Sequence, residues 1–168
     1  MDQGTRAPAG EGRRVGGQIV RAGEPADAAE VARLRWEWRV GEGETPPGSF
    51  DDFAADFSAW TSDHAATHLS FVAGAGPGDA LVGMAWLALV ERVPGPEVWL
   101  RRSAFLQSVY VDPAARGAGI GLALVEASVD EARSRQVHYV TVNPTAASVP
   151  VYRRAGFEPW PSGLRLTL

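Results

Sequence analysis

The stretch VYVDPAARGAGIGLALVEASVDEA, Val109 to Ala132, decides the fold of this chain. Its first residues are β-branched or aromatic, which favours a strand, and Pro113 ends that strand because proline has no N–H for a sheet ladder. Three glycines follow at every second position, directly behind Arg116. Apolar residues then recur at intervals of three and four, which predicts an amphipathic helix from Gly119 to about Ser134. The stretch is therefore a strand, a glycine turn and a helix.

A glycine turn that opens a helix is suited to bind an anion. The first N–H groups of a helix have no intrahelical partner, and the helix dipole is positive at that end. Two nucleotide-binding motifs are excluded by their spacing. The P-loop requires a lysine after its second glycine, and this stretch has none; the dinucleotide fingerprint G-x-G-x-x-G requires its third glycine one position later than Gly121.

Composition excludes several classes of function. The 168 residues fit one compact domain, and the net charge of −4 without a basic stripe argues against nucleic acid as a partner. The absence of cysteine excludes a disulfide scaffold, a thiolate zinc site and a cysteine nucleophile. The histidines His64, His68 and His138 lack the spacing of metal ligands, so no metal is expected.

No part of the sequence predicts a membrane protein. No apolar run approaches the roughly 18 residues of a membrane span, and the N-terminal residues lack the apolar core of a signal peptide. We therefore expect a cytoplasmic protein. Residues 1–17 are rich in glycine, alanine and arginine and are predicted to be a disordered tail, and residues 18–168 a single domain.

The remaining pattern is that of a mixed α/β domain. The predicted elements are, in order, a strand at Gln18–Gly23, a helix opened by Pro25, a helix at Phe50–Asp63, a hairpin of HLSFVAGAG and ALVGMAWLALVERV, a strand at Ala104–Val111, the helix after the glycines, a strand VHYVTVN, a short helix in ASVPVYRRAGF and a closing strand LRLTL. This order is not that of a doubly wound fold.

Three motifs together point to one family. They are V-x-V-x-P at Val109–Pro113, R-x-x-G-x-G at Arg116–Gly121 and Y-x-x-x-G-F at Tyr152–Phe157. The combination resembles the GNAT superfamily of N-acetyltransferases, whose pyrophosphate-binding loop has the form [QR]-x-x-G-x-[GA] and whose later element has the form [FY]Y-x-x-x-GF. The resemblance covers nearly all of the domain. It implies the GNAT acyl-CoA N-acyltransferase fold, in which a central, mostly antiparallel mixed sheet splays at the acetyl-CoA site and is flanked by about four helices.

The resemblance implies acetyl-CoA as the acyl-donor cosubstrate. Backbone groups of Val109 and Val111 would pair with the pantetheine arm while Tyr110 faces elsewhere, and the N–H groups from Gly117 to Leu122 would bind the pyrophosphate. Arg116 would contact a phosphate or remain solvated, and Asn143 would lie near the cofactor or serve only as a turn residue. The implied binding residues are Val109, Tyr110, Val111, Arg116, Gly117, Ala118, Gly119, Ile120, Gly121, Leu122 and Asn143.

The resemblance also implies the chemistry. Tyr152 matches the general acid that protonates the departing thiolate, and a phenol pKa of about 10 is close enough to a thiol pKa of about 8.5 for this transfer; a packing role is the alternative. No base is evident. The candidates, each also plausible as a surface residue, are Glu37, Glu42, Glu44, Asp63 and His64.

The resulting hypothesis is an acetyl-CoA-dependent N-acetyltransferase. A primary amine of a small molecule or of a protein or peptide would attack the thioester directly in a ternary complex. The acidic, aromatic-rich region around the first two helices favours a cationic amine, and the family resemblance admits a homodimer. Two alternatives stay open: a non-catalytic acyl-CoA-binding or sensory domain, and a nucleotide-binding domain.

Overall fold

The structure is a computed structural model that describes residues 12–76 and 78–160. Six strands form one sheet in chain order, antiparallel throughout except for the parallel last pair. The strands are β1 Arg13–Val15, β2 Gln18–Ala22, β3 His68–Gly74, β4 Leu81–Glu91, β5 Arg102–Val111 and β6 Val140–Val142. The helices are α1 Ala28–Gly41, α2 Phe50–Asp63, α3 Ile120–Ser134 and α4 Val149–Arg154. The predicted mostly antiparallel mixed sheet with four helices is confirmed.

The sheet carries a separate core on each face, because successive strand residues point to opposite sides. In β4, Met84 and Trp86 pack under α1 and α2, whereas Ala85 and Leu87 belong to the core that α3 covers. The glycine turn therefore leads into a helix on one face, while the first two helices build the opposite face.

A buried ion pair fastens the start of α1 to the sheet. Both nitrogens of the Arg21 fork donate to the Asp27 carboxylate, at 2.6 and 2.7 Å, and the Glu24 N–H donates to the same carboxylate at 2.8 Å. Burial alone would raise the pKa of Asp27, but these hydrogen bonds outweigh it and lower the pKa below the usual 3.8. Asp27 is therefore ionised at neutral pH, and its side chain is only 3% exposed.

The first strand of the sheet lies before residue 18. β1 lies within the stretch predicted as a tail and pairs with β2 through a turn at Gly16 and Gly17. Both glycines have positive φ, +57° and +79°, as the tight hairpin turn that matches strand twist requires. The Gly-Gly pair was a hairpin signal that the composition of this region concealed.

Other predicted elements are close to those observed. The first helix is preceded by a short 3₁₀ turn at Pro25–Asp27, and β6 is shorter than the predicted strand VHYVTVN. The predicted closing strand LRLTL lies outside the described residues. Across the described ranges, every helix is too short or too polar to cross a membrane.

Candidate active site

The end of β5 has one edge without a partner strand. β6 pairs with β5 only as far as Leu106 opposite Val142, whereas β5 continues to Val111. On the other edge, the Asp112 N–H donates to the Val82 carbonyl of β4 at 2.8 Å. Because the direction of backbone groups alternates along a strand, the N–H groups of Val109 and Val111 face the open edge. β5 and β6 therefore separate beyond Leu106, at the splay that the family resemblance implied.

The glycine turn leaves backbone donors available beside that edge. Gly117 and Gly119 both have φ +83°, a conformation that a side chain disfavours, and a Cβ on Gly117 would meet no atom within 4 Å. The first intrahelical bond of α3 runs from the Ala123 N–H to the Gly119 carbonyl, so the preceding N–H groups have no helical partner. The turn is therefore open enough for a phosphate group to approach the backbone.

Arg116 and Asn143 lie at the two sides of the open edge. The Arg116 Nε donates to the Val111 carbonyl at 3.0 Å, and its guanidinium lies 5.9 Å from the centre of the Tyr110 ring. Asn143 is exposed and follows the last residue of β6, where β6 departs from β5. Both predicted residues are thus at the splay, although Arg116 contacts its own strand.

A bulge in β5 turns two consecutive side chains to the same side. Gln107 opposes Trp86 and Tyr110 opposes Met84, so Ala85 faces two residues of β5. Ser108 has φ +53°, which is unusual for a residue with a side chain. As a result Gln107 and Ser108 both face the side of α1 and α2, whereas Val109 packs against the α3 side. The sequence contains no turn residue that predicts this bulge.

A cleft of about 390 Å³ opens on the α1 and α2 side of the bulge. Its walls combine aromatic side chains of α2 and β4 with polar side chains of α1, β3 and β5. The lining residues are Arg35, Phe57, Trp60, His68, Trp86, Gln107 and Ser108. The cleft thus reaches Gln107 and Ser108, and the open edge of β5 begins at the same stretch of the strand, beyond Leu106.

Two polar side chains of the cleft were not predicted from the sequence as site residues. The Arg35 Nη1 donates to the Ser108 Oγ at 2.7 Å, and His68 lies beside Trp60 with ring centres 5.0 Å apart. Burial, and then the nearby His64, lower the pKa of His68 below its usual 6.5, so its imidazole is neutral at pH 7. Neither residue belongs to a local motif, and their proximity depends on the packing of α1 and β3.

The five candidate bases named from the sequence do not line the cleft in the described part of the chain. Three of them are bound by arginines of α1: Glu37 by Arg33, and Glu42 and Glu44 by Arg39. The His64 Nδ1 lies 2.8 Å from the Trp60 carbonyl, and Asp63 is exposed. The described residues also contain no group of three metal-ligating side chains.

Tyr152 is held by the end of α4. The Phe157 N–H donates to the Tyr152 carbonyl and the Gly156 N–H to the Arg153 carbonyl, both at 3.0 Å, and Gly156 has φ +90°. This is a Schellman helix end, in which the residues at its two extremes touch: the Tyr152 and Phe157 rings meet edge to face at 5.6 Å. Burial raises the pKa of Tyr152, which keeps its hydroxyl protonated. The Y-x-x-x-G-F motif therefore forms a helix end in which Phe157 packs against Tyr152.

The hairpin of β1 and β2 packs against the glycine turn. A Cβ on Gly16 would lie 2.5 Å from the Ala118 Cβ, and a Cβ on Gly119 would lie 3.5 Å from Val15. Arg13 pairs with Glu126 of α3. The segment predicted as a free tail therefore supports the turn that opens α3.

Comparisons with known proteins agree with this architecture. The family described as "Acetyltransferase (GNAT) family" matches residues 29–157. The N-alpha-acetyltransferase RimI of Mycobacterium tuberculosis is 31% identical over 79% of this chain and 73% of that protein. The aminoglycoside N(6')-acetyltransferase type 1 of Klebsiella aerogenes is 29% identical over 83% of this chain and 88% of that protein.

A solved structure shows the same fold. The crystal structure of a predicted acetyltransferase with acetyl-CoA from Clostridium acetobutylicum superposes with a TM-score of 0.71 and 20% identity, covering 89% of this chain and 96% of that one. The chain belongs to the GNAT family of acetyltransferases. The recognition and the fold class predicted from its three motifs are confirmed, and the protein is an acetyltransferase enzyme.

Proposed function

We propose that this protein transfers the acetyl group of acetyl-CoA to a primary amine by direct attack within a ternary complex. The observation that carries the proposal is the meeting of two different surfaces at one bulge. An open strand edge and a glycine turn lie on one side of Gln107–Val109, and an aromatic cleft lies on the other. Donor and acceptor can therefore approach the same point from opposite sides, which favours direct transfer.

The donor would be bound mainly by backbone groups. The pantetheine arm would pair with Val109 and Val111, and the pyrophosphate would accept from the N–H groups between Gly117 and Leu122. The Val109 N–H would polarise the thioester carbonyl as charge develops on its oxygen. Arg116 and Asn143 would flank the arm at the mouth of the splay.

Two side chains would move the protons. Tyr152, protonated and oriented by Phe157, would donate to the leaving thiolate. His68 is the one cleft-lining group of the described chain that accepts a proton near neutral pH, and it would take the amine proton, directly or through water. The chain has no cysteine, and no covalent acetyl-enzyme is required.

The acceptor would be a primary amine of a small molecule or of a protein. This is the class common to the names of the relatives, one an N-alpha-acetyltransferase and another an aminoglycoside acetyltransferase. The cleft lies at the surface of the described domain and is large enough for a small amine or the end of a peptide.

The test follows free thiol released from acetyl-CoA across a panel of amines. We expect double-reciprocal plots that intersect, and no acetylated protein by mass spectrometry when the amine is omitted. Tyr152→Phe should lower kcat about 100-fold while the Kd for acetyl-CoA stays unchanged. Tyr139→Phe is the matched control, because Tyr139 is exposed outside the site, and its kcat should equal that of the wild type.

Three results would contradict the proposal. Binding of acetyl-CoA without thiol release for any amine would favour a non-catalytic binding domain. An acetyl group on Ser108 in the absence of amine would indicate a covalent route. An unchanged kcat for Tyr152→Phe would remove Tyr152 from the mechanism.

A further inference from the structure

The arginines of α1 differ in one respect. Arg33 and Arg39 are each bound by two carboxylates, whereas Arg35 has no carboxylate partner among the described residues. The carboxylates are Glu30 and Glu37 for Arg33, and Glu42 and Glu44 for Arg39. Within residues 12–76 and 78–160, the hydrogen-bond partner of Arg35 is the neutral Ser108 hydroxyl. No carboxylate of these residues compensates its positive charge.

The surroundings of Arg35 make that charge costly. The side chain is partly buried in the cleft against Phe57, Trp60 and Trp86, and burial, followed by the nearby Arg39, lowers its pKa. A guanidinium has five N–H donors, and Ser108 accepts from one of them. An uncompensated charge beside apolar walls is unfavourable, and an anion in the cleft would relieve it.

Among the described residues, a buried donor on a side chain that lines the same cleft also lacks a partner. The Trp86 side chain is 5% exposed, and its Nε1–H has no hydrogen-bond partner within the described ranges. An indole N–H can only donate, and a buried donor without an acceptor costs free energy. Among the described residues, the lining of this cleft contains an unmatched guanidinium and no carboxylate, so a ligand that brings an anionic acceptor group would be bound favourably.

The position of Arg35 relates this charge to the reaction. Its partner Ser108 is the bulge residue, directly before Val109, whose N–H faces the open donor edge. A group bound by Arg35 would therefore lie within a few atoms of the amine that attacks the thioester. Of the acidic residues that suggested a cationic acceptor, Glu42 and Glu44 are bound by Arg39. The others, Asp51, Asp52 and Asp56, are absent from the cleft lining.

We propose that Arg35 binds an anionic group of the acceptor, so that the preferred substrates are small primary amines that also carry a carboxylate or a phosphate. The inference rests on the proposed acetyl transfer and adds its substrate class. Arg35 would bind the anion through the donors that Ser108 leaves free, in the bidentate manner that suits both groups. The apolar walls would contact the remainder of the acceptor.

The test compares acceptors that differ only in the anionic group. Phenylalanine with phenylalaninamide tests the carboxylate, and phosphoethanolamine with ethanolamine tests the phosphate. We expect kcat/KM to be about 10- to 100-fold higher for the anionic member of at least one pair, the range that charge-assisted hydrogen bonds supply. The pair with the larger ratio identifies the anion.

Variants distinguish a role of Arg35 in binding the anion from a role in supporting the bulge of β5. Arg35→Gln should remove the preference while activity on the neutral member persists, and Arg35→Lys should retain part of it. Ser108→Ala should retain the preference because the charge stays. Arg39→Gln is the matched control on the same helix and should behave as the wild type. An equal loss on both members of a pair for Arg35→Gln would show a purely structural role and overturn the inference.

Failure of the inference is distinguishable from failure of the proposed function. Thiol release with neutral or cationic amines in preference to their anionic counterparts would refute the role of Arg35 while supporting acetyl transfer. Absence of thiol release with every amine would refute acetyl transfer itself. If Arg35→Gln does not fold, as judged by circular dichroism, the preference of the wild type decides between these outcomes.

Discussion

The two sides of β5 at its bulge are built from different parts of the protein. The proposed donor side consists of backbone: an open strand edge after Leu106 and a glycine turn before α3. The acceptor side consists of side chains contributed by α1, α2 and three strands. The first can bind the same cofactor whatever side chains surround it, whereas the second changes with each lining residue. Cofactor binding is therefore general in such a fold, and acceptor choice is specific.

The largest effect should follow from a substitution that weakens the attachment of α1, the helix that contributes Arg35 to the acceptor side. Asp27→Asn removes one charge of the buried pair that fastens α1, and should lower the free energy of unfolding by about 3 kcal/mol. Urea unfolding measures this change. Without urea, and at a temperature at which the variant stays folded, the Kd for acetyl-CoA should be unchanged, because the donor side does not include α1.

The same pair predicts a pH dependence with a defined sign. The pKa of Asp27 is lower in the folded protein than the usual 3.8, so its contribution to stability is complete above that value and is lost as the pH falls through the lowered pKa. The difference in stability between wild type and Asp27→Asn should therefore be constant near neutrality and shrink in acid. A difference that grows in acid would contradict this assignment.

The second largest effect should come from a substitution of His68, the candidate base on the acceptor side. His68→Gln keeps a polar side chain but removes the proton acceptor, and should lower kcat/KM about 100-fold at pH 7. In the wild type, kcat/KM should fall as the pH drops below the lowered pKa of His68, with His64 and Arg35 as the neighbouring charged or titratable groups. A pH profile unchanged by the substitution would exclude His68 as the base.

A change on the proposed donor side should have a smaller effect, which is measured as a loss of affinity for acetyl-CoA. Gly119→Ala places a side chain at φ +83°, which costs about 1–2 kcal/mol and should weaken acetyl-CoA binding about 10-fold. Gly43→Ala is the matched control, since Gly43 has φ +90° in the loop after α1 and open space around it. Titration calorimetry should show a weaker Kd for the first variant alone.

The smallest effect concerns the hairpin that supports the donor side. Gly16→Ala and Gly17→Ala introduce similar strain, about 1 kcal/mol each, but only the first places a Cβ against Ala118. Gly16→Ala should weaken acetyl-CoA binding about threefold, whereas Gly17→Ala should affect stability alone. Equal Kd values for the two variants would show that the hairpin does not position the turn.

The glycine turn and the end of α4 were largely predictable because their determinants are local. Arg116 to Gly121 specify a turn through backbone conformation, and Tyr152 to Phe157 specify a helix end, so each is visible in a few consecutive residues. The Gly16-Gly17 hairpin was equally local but was hidden by its polar, glycine-rich surroundings. The bulge at Ser108 has no such signal, because its positive φ occurs at a residue that does not favour it.

The sequence by itself determined the family, the order of strands and helices, and the glycine turn, since these depend on periodicity and on glycines at fixed spacing. Only the tertiary structure decided the acceptor cleft. Arg35, His68 and Ser108 are far apart in the chain, and it is the packing of α1 and β3 around the bulge in β5 that brings them together. In the part of the chain that the structure describes, Arg33 and Arg39 are matched by carboxylates and Arg35 is not, and this charge balance depends on contacts that no local pattern encodes.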